Sequence, residues 1–134
     1  MTVVIGYVPN ELGEAALAAA IEEAQRRGTD LVAVNTTRAD RLVDPRYAQD
    51  AQAEALEARL DESGVPHVVR RFTSPELAAD DVLTVAEEVG AELIVIGLRH
   101  RTPVGKLIMG STAQSILLDA TCPVLAVKLP RHGG

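Results

Sequence analysis

Short apolar runs alternate along this chain with longer segments in which apolar residues recur at helical spacing. This alternation is typical of βαβ units built around a parallel sheet. Four of the runs lack polar alternation and predict strands covered by helices on both faces: residues 3–8, 31–34, 93–96 and 124–127. A fifth run, Val68 and Val69, is followed directly by Arg70 and Arg71 and therefore suits an edge strand.

The segments between these runs predict four helices. The first covers residues 11–27 and the second runs from about residue 47 to 63, and the glycines that follow, Gly28 and Gly64, are typical of helix ends. The third follows the start signal Ser74-Pro75 and stops before Gly90, and the fourth begins near Ser111.

The order of these elements, with right-handed crossovers, predicts an α/β fold: an open, doubly wound, five-stranded parallel sheet in the order 3-2-1-4-5. Ligands of such sheets bind beyond the carboxyl ends of the strands, here the first and fourth. We expect one domain over residues 1–129 and a disordered tail over residues 130–134.

Composition narrows the class of protein. The chain has 134 residues, of which 47% are hydrophobic and 24% charged, as in a single globular domain. Its formal net charge of −6 and its three aromatic residues disfavour nucleic-acid binding. A lone cysteine permits no internal disulfide and, with three histidines, offers no structural zinc pattern. No apolar stretch approaches the roughly 18 residues of a membrane span, so we expect a cytoplasmic protein without a membrane partner.

The segment that follows the fourth predicted strand carries the clearest chemistry. Glycines lie near its two ends, and hydroxyl residues open a helix whose free amides favour an anion. Its cations lie in an otherwise acidic chain and suit a phosphate: Arg99, His100, Arg101 and Lys106. A solvated basic loop before an ordinary capped helix explains the same residues about equally well. A Walker A loop is excluded, because His100 and Leu107 stand where that pattern needs Gly and Ser or Thr.

Other reactive residue types have simpler interpretations. Cys122 precedes a proline at the entry of a strand and is interpreted as a structural thiol rather than a nucleophile. The adjacent carboxylate pairs at 22–23, 80–81 and 87–88 diverge around their helices and are interpreted as solvated faces. His67 is interpreted as a surface or edge residue. No residue is assigned a catalytic role.

One spacing resembles a known nucleotide motif, in which Gly, two residues, Gly and nine residues precede Gly-Ser or Gly-Thr. Gly97, His100, Gly110 and Ser111 fall on its four fixed positions, with His100 in place of a glycine. On this spacing, and on the runs 103–111 and 122–127, the chain resembles the universal stress protein family over essentially its whole length. A second departure is Val8, which occupies the position of an aspartate in ATP-binding members.

The resemblance implies a flavodoxin-like fold of the adenine nucleotide alpha hydrolase type and a function in stress signalling. It implies binding of ATP, or of AMP or ADP, with Mg²⁺ and with little or no turnover. The nucleotide-binding residues carried over or placed beside the motif are Gly6, Tyr7, Val8, Val34, Gly97, Arg99, His100, Gly110, Ser111 and Thr112. It also implies a homodimer through the last strand, formed by Val124, Leu125, Ala126 and Val127.

Two alternatives to nucleotide binding stay open. In the first, Val8 and His100 occlude the site and the function resides in contacts with other proteins. In the second, the chain is a weak ATPase, although no water-activating residue can be named.

Overall fold

The computed structural model describes residues 2–7, 11–35, 45–71, 78–98 and 111–128. Five strands and four helices alternate through these residues. The strands are β1 Thr2–Tyr7, β2 Asp30–Asn35, β3 His67–Arg71, β4 Ala91–Gly97 and β5 Val124–Val127. The helices are α1 Glu11–Arg27, α2 Pro45–Ser63, α3 Ala78–Val89 and α4 Ser111–Asp119.

The five strands form one parallel sheet in the order β3-β2-β1-β4-β5. The predicted fold class and strand order are therefore confirmed. The chain moves outward from β1 to β3 and then crosses back to β4 on the other side of β1. The strand order thus reverses between β1 and β4, which is the position where open α/β sheets bind ligands.

Successive side chains of each strand point to opposite faces of the sheet and pack into two separate hydrophobic cores. Val3, Ile5 and Tyr7 of β1 belong to the core shared with α1 and α2, which we call the α1/α2 face. Val4 of β1 and Val34 of β2 belong to the core shared with α3 and α4, which we call the α3/α4 face. This two-sided burial explains why β1, β2 and β4 read as nearly continuous apolar runs.

Helix ends follow the glycine signals. Gly28, Gly64 and Gly90 come directly after α1, α2 and α3, and all three adopt positive φ, at 63°, 75° and 62°. A side chain is strained in that conformation, so glycine there ends the helix at little cost. The predicted end of each of these helices is confirmed.

The two edge strands differ from expectation in one respect. β3 lies at one edge of the sheet, as Arg70 and Arg71 beside Val68 and Val69 predict, and the two arginines belong to the strand. β5 lies at the other edge, and the prediction that it is covered on both faces is wrong, because all four of its residues keep some exposure and Leu125 is 37% exposed.

Candidate functional site

The candidate site lies at the carboxyl end of the sheet, where β1 ends at Tyr7 and β4 ends at Gly97. These strands are hydrogen-bonded neighbours. On the other side of β1, Gly6 lies in register with Val34, and Tyr7 with Asn35. The structure therefore brings together at one edge four of the residues named from the sequence: Gly6, Tyr7, Val34 and Gly97.

On the α1/α2 face, this end of the sheet is closed by a polar network. The buried Tyr7 donates its hydroxyl hydrogen bond to Glu14 Oε1 of α1 at 2.8 Å. The other oxygen of Glu14 accepts from Arg59 of α2. Burial raises the pKa of Tyr7 above its usual 10.0, against a smaller opposing effect of the Arg59 charge. The Tyr7 side chain thus ties β1 to both helices of this face.

Gly97 is also packed closely against the α1/α2 face. A Cβ atom added to Gly97 would lie 2.6 Å from Leu12 Cγ, closer than carbon atoms approach one another in folded proteins. Leu12 lies in the first turn of α1 and packs directly over the backbone of β4 at this point. The first glycine of the motif therefore has a packing role in addition to any contact with a ligand.

The α3/α4 face has no large side chain from β1 at the same level. Gly6 is the one residue of β1 that is not buried. A Cβ added there would lie 3.3 Å from Val82 Cγ2 of α3, a contact that a small movement of a methyl group relieves. Val34, the neighbour of Gly6 on β2, is fully buried in the core of this face. The backbone of Gly6 is therefore partly accessible here, next to the buried Val34.

Asp81, next to Val82 near the start of α3, differs from its expected solvated setting. The residue is partly buried, and its Oδ2 atom is inaccessible and accepts no hydrogen bond. Burial, and then the charge of Asp80, raises the pKa of the Asp81 carboxyl above 3.8. The interpretation of residues 80 and 81 as a solvated pair is thus wrong for Asp81, because its side of the first turn of α3 is partly buried.

The structure describes only some of the remaining residues that the sequence predicts for the site. Ser111 and Thr112 begin α4, and only their backbone is described. The start of α4 follows β4 in the chain, so its free amides lie at the carboxyl end of the sheet. The predictions for Val8, Arg99, His100 and Gly110 lie outside the described residues, as do Arg101 and Lys106.

A second polar cluster, the His67 cluster, was not predicted. It consists of Glu57 and Asp61 on α2 and His67 at the start of β3. His67 Nε2 lies 3.1 Å from Glu57 Oε2 and 3.2 Å from Asp61 Oδ1. The hydrogen bond to the Val65 carbonyl is the main cause of a raised His67 pKa, with Glu57 and Asp61 adding to it and burial opposing it. His67 does lie on an edge strand, but only 13% of its side chain is exposed.

A cavity of about 230 Å³ lies at the opposite, amino-terminal end of the sheet. Its lining includes Ala91 at the start of β4, Ile94 in the middle of that strand, Asp119 at the end of α4 and Cys122 after that helix. Cys122 is partly buried, and burial raises the pKa of its thiol, which disfavours the reactive thiolate. This agrees with the interpretation of Cys122 as a structural residue.

Within the described part of the chain, no helix is both long and apolar enough to cross a membrane.

Comparison with known proteins identifies the family. A family model described as the universal stress protein family matches residues 1–128. A universal stress protein of Mycolicibacterium smegmatis is 46% identical over 126 residues, which cover 94% of this chain and 96% of the relative.

Solved structures agree with that match. A universal stress protein of Archaeoglobus fulgidus superimposes with a TM-score of 0.78 at 29% identity, covering 96% of this chain and 98% of the other. One from the same organism in complex with dAMP gives 0.72 at 22% identity, with the same coverage. A universal stress protein in complex with cAMP gives 0.71 at 21% identity, over 96% of each chain. The chain therefore belongs to the universal stress protein family.

Proposed function

We propose that this protein binds an adenine nucleotide at the carboxyl end of its sheet and acts as a stress-response module with little or no turnover. The observation that carries the proposal is the coincidence of two features at one place. The strand order reverses between β1 and β4, and on the α3/α4 face beside that point β1 presents the partly exposed backbone of Gly6. The base would lie beside the partly exposed Gly6, on the face of the sheet whose core contains Val34.

The phosphate end of the nucleotide would lie toward the start of α4. The first amides of a helix have no partner within the helix and carry its positive dipole end, so they stabilise an anion. The cations between residues 99 and 106 precede this helix in the chain and supply charge of the right sign. Mg²⁺ would enter only as the counterion carried by the phosphates of ATP.

Two structural neighbours support a nucleotide of the adenine class. The dAMP and cAMP complexes share this fold, and both ligands carry an adenine base with a single phosphate group. A nucleoside monophosphate therefore tests the base end of the site without the demands of a triphosphate. A comparison of AMP with ATP therefore distinguishes binding of the base from binding of the additional phosphates.

The test is calorimetric titration of the purified protein with AMP and with Mg-ATP, preceded by native mass spectrometry for bound nucleotide. We expect micromolar affinity for at least one nucleotide and its loss in Gly110→Asp, which places a carboxylate beside the phosphates. Gly133→Asp, which makes the same chemical change in the carboxyl-terminal tail, should bind as wild type does. An empty protein that binds neither nucleotide at millimolar concentration contradicts the proposal and favours the alternative of a module that acts through protein contacts.

We also propose that two copies pair through β5. The support is the apolar surface on the last helix and the last strand: Leu117 is 38% exposed, Leu118 73% and Leu125 37%. A parallel sheet that ends in an exposed apolar strand offers hydrogen-bonding groups and buried area to a second copy. The cytoplasm stays the predicted compartment, on the ground of the single cysteine.

Sedimentation velocity tests the dimer. Leu125→Glu should convert a dimer into a monomer at micromolar concentration, because it places a charge on the proposed pairing strand. The matched control is Val68→Glu on the opposite edge strand, where Val68 is 55% exposed. A wild-type protein that sediments as a monomer, or a dimer that Val68→Glu dissociates and Leu125→Glu does not, would overturn the pairing through β5.

A further inference from the structure

The His67 cluster combines a histidine and two carboxylates from one continuous stretch of chain. Glu57 and Asp61 are four residues apart on α2, so their side chains leave the same face of the helix. The turn at Gly64 then returns the chain so that His67, the first residue of β3, faces that helix. One ligand atom from each of the three residues lies within 4.8 Å of the other two.

The hydrogen bond on the far side of the ring fixes which histidine nitrogen faces the carboxylates as a ligand. His67 Nδ1 lies 2.8 Å from the carbonyl oxygen of Val65. A carbonyl can only accept, so Nδ1 carries a proton, and a metal ion that displaces the Nε2 proton finds the lone pair of Nε2 directed toward Glu57 and Asp61. Histidines that bind metal ions typically donate their other N–H to a backbone carbonyl or a carboxylate in this way.

The negative charge of Glu57 and Asp61 favours a cation at the His67 cluster. The neutral ring and the two carboxylates sum to a formal charge of −2, which one divalent ion balances and one proton does not. Among the described ion pairs, neither Glu57 nor Asp61 has an arginine or lysine partner. Asp61 also lies in the last turn of α2, which contains no basic residue, at the helix end where the dipole disfavours a negative charge.

The distances suit a small transition-metal ion. Ligand atoms bound about 2.0–2.1 Å from a tetrahedral zinc ion lie about 3.3 Å from one another. The separations of 3.1 Å and 3.2 Å from Nε2 to the two carboxylate oxygens are close to that value. Glu57 and Asp61 are 48% and 71% exposed, so both side chains have room to adjust around an ion.

We propose that Glu57, Asp61 and His67 form a binding site for one divalent transition-metal ion of the zinc class, at the α2–β3 edge of the sheet. Three protein ligands leave one position of a tetrahedral ion open to water. The site is built from α2 and the first residue of β3, whereas the proposed nucleotide crevice lies between the carboxyl ends of β1 and β4. Neither proposal depends on the other.

The test is calorimetric titration of metal-depleted full-length protein with ZnCl₂ in a buffer that does not chelate zinc. We expect one equivalent to bind with micromolar affinity, and the melting temperature to rise when zinc is added. Asp61→Asn, Glu57→Gln and His67→Gln should each weaken zinc binding at least tenfold and abolish the rise in melting temperature. Glu62→Gln is the matched control, because it removes an exposed carboxylate from the same turn of α2 and leaves the cluster intact.

Circular dichroism spectra keep a loss of binding distinct from a loss of fold, and the exposed positions Glu57 and Asp61 allow substitution without disturbing the core. A protein that binds no zinc up to 100 µM overturns the proposal, and the cluster is then a histidine ion pair alone. Zinc that binds equally well to wild type and to all three variants also overturns it, because His100 or His132 then accounts for the binding.

Discussion

The carboxyl end of the sheet is packed differently on the α1/α2 face and on the α3/α4 face. On the α1/α2 face, Tyr7 covers the end of β1 and is held by Glu14 and, through it, by Arg59, while Leu12 fills the space over Gly97. On the α3/α4 face, β1 contributes the partly exposed Gly6, which has no side chain, at the same level. One face is closed at the carboxyl end of the sheet and the other is partly exposed, which leaves one side for a ligand, and this is why the proposed nucleotide site is placed on the α3/α4 face.

Substitution of Gly97 and of Gly6 by alanine tests this contrast between the two faces, and Gly97→Ala has the largest expected effect on the free energy of unfolding. Gly97→Ala should lower the free energy of unfolding by about 1–3 kcal/mol, because the new methyl group would lie 2.6 Å from Leu12 Cγ. Gly6→Ala should cost less than about 1 kcal/mol, because its closest contact is a Val82 methyl group at 3.3 Å, which a small shift relieves. Urea unfolding measures both.

A double-mutant cycle provides the control. In a Leu12→Ala background the atoms that meet the new methyl group are absent, so Gly97→Ala should then have almost no further effect on stability. An equal cost of Gly97→Ala with and without Leu12 would show that the α1/α2 face is not closed by this contact.

Removal of the Tyr7 hydroxyl tests the polar part of the closed face. Tyr7→Phe loses the hydrogen bond to Glu14 and should lower the free energy of unfolding at pH 7 by about 0.5–1.5 kcal/mol. AMP affinity should not change, because the side chain lies on the face away from the proposed base position. Urea unfolding and calorimetry on the same preparations check both statements.

The pKa of Tyr7 adds a pH dependence to this comparison. Since burial raises it above 10.0, the folded protein retains the proton longer than the unfolded chain does. The contribution of Tyr7 is therefore complete below pH 10 and is lost as the pH rises through the folded pKa. The stability gap between wild type and Tyr7→Phe should narrow there, and a gap that widens would contradict the assignment.

The smallest expected effect comes from Asp81 on the accessible face. Its raised pKa means that the folded protein favours the neutral acid, so the contribution of Asp81 to stability is complete below pH 3.8 and is lost as the pH rises through the folded pKa. Asp81→Asn should therefore stabilise the protein by about 0.5 kcal/mol at pH 7, and this gain should disappear below about pH 4. Thermal unfolding at the two pH values measures it. Glu87→Gln, an exposed carboxylate on the same helix, should show no such change.

The sequence was sufficient for the fold because the determining signals are local. Apolar runs without polar alternation marked β1, β2 and β4, and glycines in the left-handed conformation ended α1, α2 and α3. The exposure of β5 was missed because an apolar run has the same sequence pattern whether helices cover both of its faces or leave part of it exposed.

The contacts of the site were harder to predict because they join elements that are distant in the chain. Tyr7, Glu14 and Arg59 meet only once α1 and α2 pack on the same face, and helical periodicity does not give the register between two helices. The position of Gly97 was recognised from its motif, but its contact with Leu12 required the packing of α1 against β4. For the His67 cluster, a signal was present in the spacing of Glu57, Asp61 and His67, but one histidine with two carboxylates does not form a structural zinc pattern of cysteines and histidines.

The most direct test of the nucleotide assignment is a titration of methyl-labelled protein with AMP, followed by NMR. Ring-current shifts from the adenine should appear at the methyl groups of Val34 and Val82 on the α3/α4 face, while those of Leu12 on the α1/α2 face stay in place. Shifts confined to Leu12, or to Ile94 beside the cavity at the other end of the sheet, would contradict the account.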